Sequence, residues 1–348
     1  MPTVCVTGAA GFIGYHLARR LLDLGWEVTG IDNLNDYYDV ELKHDRLRLL
    51  HPFQKFKFHQ LDICDHRELQ AIYAKEEFNY TVHLAAQVGI RYSLENPRAY
   101  SHNNVAGFLN ILECCQLSQC KHLVYASSSS VYGLNAKMPS SVRDHVDHPK
   151  SLYAATKRAN ELMAHVYSHL YGLPTTGLRF FTVYGPWGRP DMAPFLFTKA
   201  LFDGTPIKAF NHGDLRRDFT FIDDVIDAVV PLIEVIPEPT EDAPCQSPDR
   251  SSAPYRIYNV GNQRPVELRY LIELIERYTE RKAPCLTAPM QPGDVVATYA
   301  DVSELAETLG FCPRTSIEDG LRNFVSWYCD HYRPRSELKS KVNRPLRR

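Results

Sequence analysis

The sequence predicts an α/β fold built on a doubly wound parallel sheet, followed by a smaller C-terminal cap. Over the first two thirds of the 348 residues, short apolar and β-branched segments alternate with helical patterns, as in a parallel sheet with helices on both faces. The first of these segments runs into a glycine-rich turn and then a helix. The predicted strands are residues 4–7, 27–32, 55–59, 80–84, 122–127 and 175–181.

A dinucleotide fingerprint follows the first predicted strand. Gly8, Gly11 and Gly14 recur every third residue and lead into a helix through His16, Leu17 and Leu21, and Phe12 and Ile13 between the glycines are also expected to bind the cofactor. The first glycine permits the tight turn, the second lets the backbone approach a pyrophosphate, and the third allows close helix packing. Because free amides at the helix N-terminus bind phosphates, we expect a Rossmann nucleotide-binding domain here.

An acidic residue at the end of the second strand indicates which cofactor is bound. Asp32, beside Asn33, can accept hydrogen bonds from both ribose hydroxyls and repels a 2′-phosphate, which predicts NAD rather than NADP. Asp62 and Ile63 follow the next strand, where an acceptor for the adenine edge is expected. A helix cap or a turn is the alternative for either aspartate.

Composition excludes several classes of partner. A 44% hydrophobic and 23% charged chain is ordinary for a protein with a core, and a net charge of -2 predicts binding to neither nucleic acid nor membrane. The nine cysteines are scattered without a paired Cys-x-x-Cys spacing, so we expect reduced thiols and no metal site. No signal peptide or membrane-length apolar run is visible, which favours a cytoplasmic protein.

Two helical segments stand out, residues 104–117 and 153–171. The second places several apolar or aromatic side chains near one side, namely Leu162, Met163, Val166, Tyr167 and Leu170. Because such a stripe must be buried, we expect most of it to pack on the sheet.

The cap is predicted from residue 181 onward, where elements are spaced more loosely and glycine and proline become frequent. We expect residues 1–180 to form the NAD-binding domain and residues 331–348 a basic tail. Residues 181–330 are expected to form mainly the substrate-binding cap, interleaved with the first domain, because segments around 210–230 and 255–265 should return to it. Residues 237–254, rich in proline, acidic residues and serine, predict a surface loop, and the basic tail predicts a solvated or frayed terminus.

A candidate catalytic group lies between the two parts. Tyr153 and Lys157 are four residues apart and therefore share a helix face, while the serine run 127–130 ends a strand that faces the same cleft. A tyrosine with an ordinary pKa of about 10 is a weak base at neutral pH, so the Lys157 ammonium and the positive nicotinamide are needed to stabilise its phenolate. Ser128 is the best candidate to orient a reacting hydroxyl, and a structural serine at a strand end is the alternative.

Together, the glycine fingerprint, the tyrosine–lysine pair and the serine run resemble those of the extended short-chain dehydrogenases. The wider pattern, through segments 87–93, 181–190 and 290–294, is most similar to the UDP-glucuronate 4-epimerases among the nucleotide-sugar epimerases. The resemblance implies a homodimer in which helices 104–117 and 153–171 pair across the axis. It also implies further residues along the NAD, namely Leu84, Ala85, Ala86, Asn104 and Phe180.

The resemblance implies a reaction at C4 of a UDP-sugar. Dehydratases and glucuronate decarboxylases of the family carry an acid just before Val-Tyr-Gly, where this chain has Ser129 and Ser130. Without that acid, the simplest cycle removes hydride from C4 to tightly held NAD and returns it to the opposite face, which is 4-epimerisation. A UDP-glucose or UDP-N-acetylhexosamine 4-epimerase is one alternative, and a non-catalytic NAD-binding regulator is an alternative of another class.

Arg189 is the residue that the resemblance implies for a sugar carboxylate. A guanidinium meets a carboxylate in a two-pronged bond, and Thr182 with serines 128–130 would add donors. Such a clamp has a chemical purpose, because oxidation at C4 of a uronate gives a β-keto acid that readily loses carbon dioxide. A surface arginine in a proline-rich turn is the alternative.

The resemblance also implies contacts with the rest of the UDP-sugar. Arg217 matches a diphosphate-binding arginine, Asp294 matches a contact of the uridine ribose, and Arg91 is expected to bind substrate as well. An ion pair of Arg217 with Asp218 is the alternative for the first of these. The arginine that usually stands three residues before Asp294 is replaced here by Gln291.

Overall fold

The computed structural model describes residues 1–239 and 247–342, and side chains as far as Tyr332. The strands are Thr3–Thr7 (β1), Glu27–Asp32 (β2), Phe56–Gln60 (β3), Tyr80–His83 (β4), His122–Ser128 (β5), Thr175–Phe180 (β6), Thr182–Tyr184 (β7), Ile207–Phe210 (β8), Arg216–Phe221 (β9), Tyr255–Val260 (β10), Pro265–Glu267 (β11) and Cys285–Ala288 (β12). The α-helices are Phe12–Asp23 (α1), Val40–Leu50 (α2), His66–Glu76 (α3), Tyr92–Glu95 (α4), Pro97–Tyr100 (α5), Gly107–Leu117 (α6), Leu152–Tyr171 (α7), Ala193–Asp203 (α8), Ile222–Leu232 (α9), Leu268–Thr279 (α10), Ser303–Leu309 (α11) and Ile317–Val342 (α12).

A seven-stranded sheet organises the molecule. Its strand order is β10-β6-β5-β4-β1-β2-β3, and every neighbouring pair is parallel. The central strands are buried on both faces, as expected when helices cover both sides. The predicted doubly wound parallel sheet is thus confirmed, and its order reverses between β1 and β4, which is where such folds bind ligands.

The end of β6 shows where the chain leaves this sheet. The sequence predicts one strand over 175–181, but β6 ends at Phe180 and the backbone amide of Phe181 donates to the Val260 carbonyl at 2.9 Å. The next residues, in β7, pair instead with β9. The chain therefore passes directly from the large sheet into a smaller three-stranded sheet, in the order β11-β9-β7.

The helix predicted at 104–117 begins differently. Residues 101–106 form a π-helix, and α-helical geometry starts only at Gly107. A π-helical turn widens the backbone spacing and often occurs near functional sites. Here it directs the Asn104 side chain inward, away from the surface of the helix.

The predicted stripe on α7 divides between two environments. Met163 and Tyr167 pack against the core, but Leu162, Val166 and Leu170 are 54%, 48% and 62% exposed. The expectation that most of the stripe packs on the sheet is therefore wrong. These three residues are spaced by four and form a single outward face, whereas the sheet-facing side carries smaller or polar residues.

The C-terminal part combines the small sheet, the β8–β12 pair and the helices α8, α10 and α12. The segment 210–230 contributes β9 to the small sheet, while α9, which follows it, packs on α1. The segment 255–265 contributes β10 to the large sheet.

Two predicted surface segments are more ordered than expected. In the 237–254 segment, residues 240–246 lie outside the described residues, but Asp249 is buried and pairs with Arg250 at 3.0 Å. The predicted frayed tail continues α12 to Val342, and residues 343–348 lie outside the described residues. Within the described part of the chain, no helix has the length and apolar character needed to cross a membrane.

Candidate active site

A cleft of about 1550 Å³ opens at the carboxyl ends of the parallel strands, beside the C-terminal part. It brings together nearly all residues predicted from the sequence. Those that line it are Gly8, Gly11, Phe12, Ile13, Gly14, Asp32, Asn33, Ile63, Leu84, Ala85, Ala86, Arg91, Ser128, Ser129, Ser130, Tyr153, Lys157, Phe180, Thr182, Arg189, Arg217 and Asp294. Asp62 and Asn104 are not among the lining residues.

The glycine turn is shaped for close approach. Gly8 has a positive φ of 70°, and a Cβ there would lie 2.8 Å from the Ala85 nitrogen. A Cβ on Gly14 would lie 2.1 Å from the Gly8 carbonyl oxygen, so neither position admits a side chain. No side chain caps α1 at Gly11, which leaves amides of its first turn available to an anion in the cleft.

Asp32 is held by the turn that it faces. Its carboxylate accepts hydrogen bonds from the amides of Ala10 at 3.1 Å and Leu34 at 2.9 Å. Each carboxylate oxygen can accept further bonds, so ribose hydroxyls remain compatible with these contacts. Lys43, which the sequence analysis missed, also lines the cleft, and its ammonium donates to the Asn35 carbonyl at 2.7 Å.

Asp62 supports the cleft from outside it. Its carboxylate accepts from the Cys64 amide at 2.8 Å and from Asn33 Nδ2 at 2.9 Å. Burial raises the pKa of Asp62, but these hydrogen bonds outweigh it and lower the pKa overall. The capping residue of α3 is Asp65, whose side chain accepts from Glu68 N, so Asp62 does not cap that helix.

Asn104 is a buried strut rather than a lining residue. Its side chain binds both the amide and the carbonyl of Gln87, at 2.8 and 3.0 Å, and reaches the Thr156 hydroxyl at 3.1 Å. The Asn104 side chain thus fixes the Gln87 backbone beside the cleft, and its direct contact with the cofactor stays a prediction. Its neighbour Asn103 lines the cleft.

Lys157 and Tyr153 lie in the first turns of α7, which Ser151 caps by accepting from the Ala154 amide. The Lys157 ammonium donates to the Ala126 carbonyl at 2.8 Å, and burial lowers its pKa to about 8. Burial raises the pKa of Tyr153, while hydrogen bonding with Ser128 and the charge of Arg189 act in the opposite direction. The tyrosine thus has two neighbours that favour its phenolate.

The serine run separates into structural and cleft-facing members. Ser127 is buried and donates to Glu161 at 2.6 Å, and Glu161 in turn pairs with Arg179 at 2.8 Å. Ser128 lines the cleft, and the Ser130 hydroxyl donates to it at 2.9 Å. The strand-end structural role therefore belongs to Ser127, and Ser128 is the member placed beside Tyr153.

Arg189 lines the cleft in a partly buried ion pair that the sequence analysis missed. Its Nε and Nη2 donate to the two oxygens of Asp191 at 2.9 and 2.5 Å. The hydroxyl of Tyr37 donates to the same carboxylate at 3.2 Å. The spacing of two residues between Arg189 and Asp191 was the signal available in the sequence, whereas Tyr37 comes from a distant loop.

Arg217 forms no local ion pair with Asp218. Its Nη1 donates to the carbonyls of Arg216 and Val296, at 2.9 and 3.1 Å. Asp218 is fully buried and accepts three backbone amides, those of Asn262, Gln263 and Ala300. The ion-pair alternative is therefore wrong, and the Arg217 guanidinium lines the cleft.

Arg91 and Asp294 approach each other on the wall of the cleft. Arg91 Nη2 lies 3.7 Å from Asp294 Oδ2, and its guanidinium lies over the Phe210 ring at 4.6 Å. The Gln291 carbonyl accepts from the Asp294 amide at 3.2 Å, but its side-chain Oε1 is buried without a hydrogen-bond partner among the described residues.

These features define a class of protein: an α/β enzyme that binds a dinucleotide in the cleft and carries acid–base groups for a hydroxyl beside it. The chain belongs to the NAD dependent epimerase/dehydratase family, whose model matches residues 4–261.

Relatives extend the likeness over nearly the whole chain. A 37.6 kDa Escherichia coli O111:H- protein from the cld 5′ region is 55% identical, over 94% of this chain and 98% of its own length. UDP-glucuronate 4-epimerase 4 of Arabidopsis thaliana is 46% identical, over 95% of this chain and 76% of its own. The crystal structure of the Bacillus cereus UDP-glucuronic acid 4-epimerase with UDP-glucuronic acid and NAD has a TM-score of 0.84 at 31% identity, covering 94% of this chain and 99% of that one.

Proposed function

We propose that this protein is an NAD-dependent isomerase that interconverts UDP-glucuronate and UDP-galacturonate through a 4-keto intermediate. One observation carries the proposal: Arg189, Thr182 and the serines 128–130, which all carry hydrogen-bond donors, line the same cleft as Tyr153. A carboxylate suits such a surrounding, since it only accepts hydrogen bonds. The names of the Arabidopsis and Bacillus relatives support the same substrate.

The cradle fits NAD. The glycine turn leaves no room for side chains where a pyrophosphate approaches, and Asp32 faces the position of a ribose. When bound, NAD accepts the C4 hydride of the sugar and later returns it. Because the cofactor is regenerated in every cycle, we expect it to stay bound between turnovers.

Side chains of this protein carry out the proton transfers of the proposed reaction. Tyr153 takes the proton of the C4 hydroxyl and returns it when the ketone is reduced. Lys157, charged at neutral pH because its pKa is about 8, stabilises the phenolate, and Ser128 orients the sugar hydroxyl. No acid stands at Ser129 or Ser130 to work on a neighbouring carbon, which favours simple epimerisation.

The UDP part is assigned to the other end of the cleft. Arg217 presents a guanidinium to the diphosphate, and Asp294, with Arg91 nearby, presents a carboxylate to the uridine ribose. Gln291 gives no second charge to the diphosphate.

The two alternatives make different demands. A UDP-glucose or UDP-N-acetylhexosamine 4-epimerase has no substrate carboxylate to bind, so in such an enzyme Arg189 would serve only its ion pair with Asp191. A non-catalytic NAD-binding regulator has no need of Tyr153, Lys157 and Ser128 together in one cleft. The site favours the uronate epimerase over both.

The test is to incubate purified protein with UDP-glucuronate, without added NAD, and to follow the products by NMR. We expect UDP-galacturonate to accumulate to an equilibrium mixture. Formation of UDP-xylose would contradict epimerisation, and turnover of UDP-glucose alone would favour the neutral-sugar alternative.

We also propose a homodimer formed through α6 and α7. The exposed residues Leu162, Val166 and Leu170 of α7 and Leu109 and Leu117 of α6 support it. The cysteines within the described residues are free thiols, which supports the cytoplasm as location. The NAD-binding domain is proposed to include β10, and the cap to include the small sheet.

A further inference from the structure

Asp191 occupies one of the two edges through which the Arg189 guanidinium can bind a carboxylate. The Nε and Nη2 side forms a fork, and both prongs of that fork donate to Asp191. These contacts leave the end edge, formed by Nη1 and the second N–H of Nη2, for further acceptors. A carboxylate arriving in the cleft can thus bind end-on while Asp191 stays in place, or it must displace Asp191 from the side fork.

The competing acid is itself held in place. Tyr37 donates its hydroxyl to Asp191 at 3.2 Å, and its ring packs on Tyr92 at 5.0 Å between centroids. The backbone at Gly89 makes room for this hydroxyl, because a Cβ there would lie 2.5 Å from it. Asp191 is therefore fixed by a residue from another part of the chain, as well as by Arg189.

The loop that carries both charges is anchored from the NAD side. His16 Nε2 lies 2.9 Å from the Pro186 carbonyl, and Arg46 Nη2 donates to the Trp187 carbonyl at 2.7 Å. Arg46 also donates to the carbonyl of Ala10, in the glycine turn, at 2.8 Å. The Arg189–Asp191 pair thus sits on a fixed backbone, and only side-chain exchange can release Arg189.

The Arg189–Asp191 pair faces the cleft, where it can contact a bound substrate. Arg189 is 23% exposed and Asp191 29%, and both line the cavity. Burial raises the pKa of Asp191, but Arg189 and Tyr37 outweigh it, so the pKa is lowered and the group is ionised at neutral pH. The site therefore offers a neutralised cation in place of a bare one.

Neutralisation of Arg189 by Asp191 suits a substrate whose sugar ring must rotate during the reaction. In 4-epimerisation the hydrogen leaves one face of C4 and returns to the other, so the ring must present its opposite face between the two steps. A uronate carboxylate moves with that ring. If it were bound by the full fork of an unpaired arginine, each turn of the ring would break a strong two-pronged contact.

We infer that Asp191 is a specificity-determining and positioning residue that occupies one edge of Arg189, neutralises its charge and so weakens its hold on the substrate carboxylate. The inference rests on the proposed function, because it assumes a uronate substrate. Asp191 acts through Arg189, and Tyr37 acts through Asp191.

The test uses the NAD-loaded protein and the variant Asp191→Asn, which keeps the size and one acceptor but removes the charge. We expect the KM and the Kd for UDP-glucuronate to fall roughly tenfold, because Arg189 is no longer neutralised. The Kd for UDP-glucose, which has a hydroxymethyl group in place of the carboxylate, should change less than about twofold. The turnover number should fall several-fold, because the sugar is held too firmly to turn.

Two further variants serve as controls for the effect of Asp191→Asn. Tyr37→Phe removes only the hydroxyl that holds Asp191, so it should shift KM and turnover in the same direction by a smaller factor. Asp23→Asn breaks another Arg–Asp pair, that of Arg19 on the surface, and should leave all these constants unchanged. Kinetics of epimer formation and calorimetric titration with each UDP-sugar provide the readouts.

The results distinguish a failure of the role proposed for Asp191 from a failure of the proposed function. A KM for UDP-glucuronate that rises or stays the same in Asp191→Asn, an unchanged turnover number, or an equal shift for UDP-glucose would overturn the role of Asp191. Wild-type protein that fails to convert UDP-glucuronate in the same assay would overturn the proposed function itself, and the role of Asp191 with it.

Discussion

Lys157 shows, at the scale of one residue, how a group placed for the proposed chemistry lowers the stability of the fold. Its ammonium is buried with the Ala126 carbonyl as acceptor, and burial lowers its pKa from 10.5 to about 8. The unfolded chain keeps the ordinary pKa, so below pH 8 the folded state alone carries the cost of a buried charge. This loss of stability is fully present below pH 8 and disappears as the pH rises towards 10.5.

We therefore expect Lys157→Met to abolish epimerisation and yet to raise the free energy of unfolding at pH 7 by about 1–3 kcal/mol. The gain should shrink between pH 8 and pH 10, because folded wild-type Lys157 loses its proton above pH 8 and the charged form is then no longer buried. Urea unfolding of nucleotide-free protein at the two pH values measures it, with the exposed Lys137→Met as control. A variant less stable than wild type at pH 7 would contradict this reading of Lys157.

Residue-level prediction from sequence succeeds where the partners are close along the chain. Tyr153 and Lys157 share a helix face by spacing alone, and the glycine turn follows directly from its strand. The inward position of Asn104 is different, because Gln87 and Thr156, 17 and 52 residues away, determine it. Periodicity carries no information on such distant partners.

At the scale of elements, α7 has two functions on two faces. One face carries Lys157 and buried polar groups such as Asn160 and Glu161 towards the sheet, and the other exposes Leu162, Val166 and Leu170. The sequence predicts the stripe but not its burial, because helical phase says which residues share a side and not what that side meets. An exposed apolar face of this kind is typical of an interface between subunits.

We expect Leu162→Glu combined with Val166→Glu to halve the molar mass in solution, because two charges per subunit would be buried at the proposed α6–α7 interface. Light scattering after size-exclusion chromatography measures the mass. Leu24→Glu, at a comparably exposed leucine at the end of α1, should leave the mass unchanged. A wild-type protein already monomeric at micromolar concentration would argue against the dimer.

At the scale of the whole molecule, the site forms where the large sheet meets the C-terminal part. The strand order reverses between β1 and β4, and the loops at that edge carry the nucleotide-binding residues, as the alternating pattern of strands and helices predicts. The pairing of β9 with β7 and with β11 lies beyond such reasoning, because it joins segments about 40 to 50 residues apart along the chain. The contact of Tyr37 with Asp191 lies beyond it for the same reason, because the two residues are 154 positions apart along the chain.

The central claim is that one carbon of a uronate is inverted while its own hydrogen is retained. The most direct measurement is to incubate the protein with UDP-glucuronate in deuterated water and to examine the product by NMR. We expect UDP-galacturonate that keeps ordinary hydrogen at both C4 and C5, because the C4 hydrogen leaves and returns as hydride and the C5 hydrogen takes no part in the reaction. Deuterium at either carbon, or UDP-xylose in place of the epimer, would contradict it.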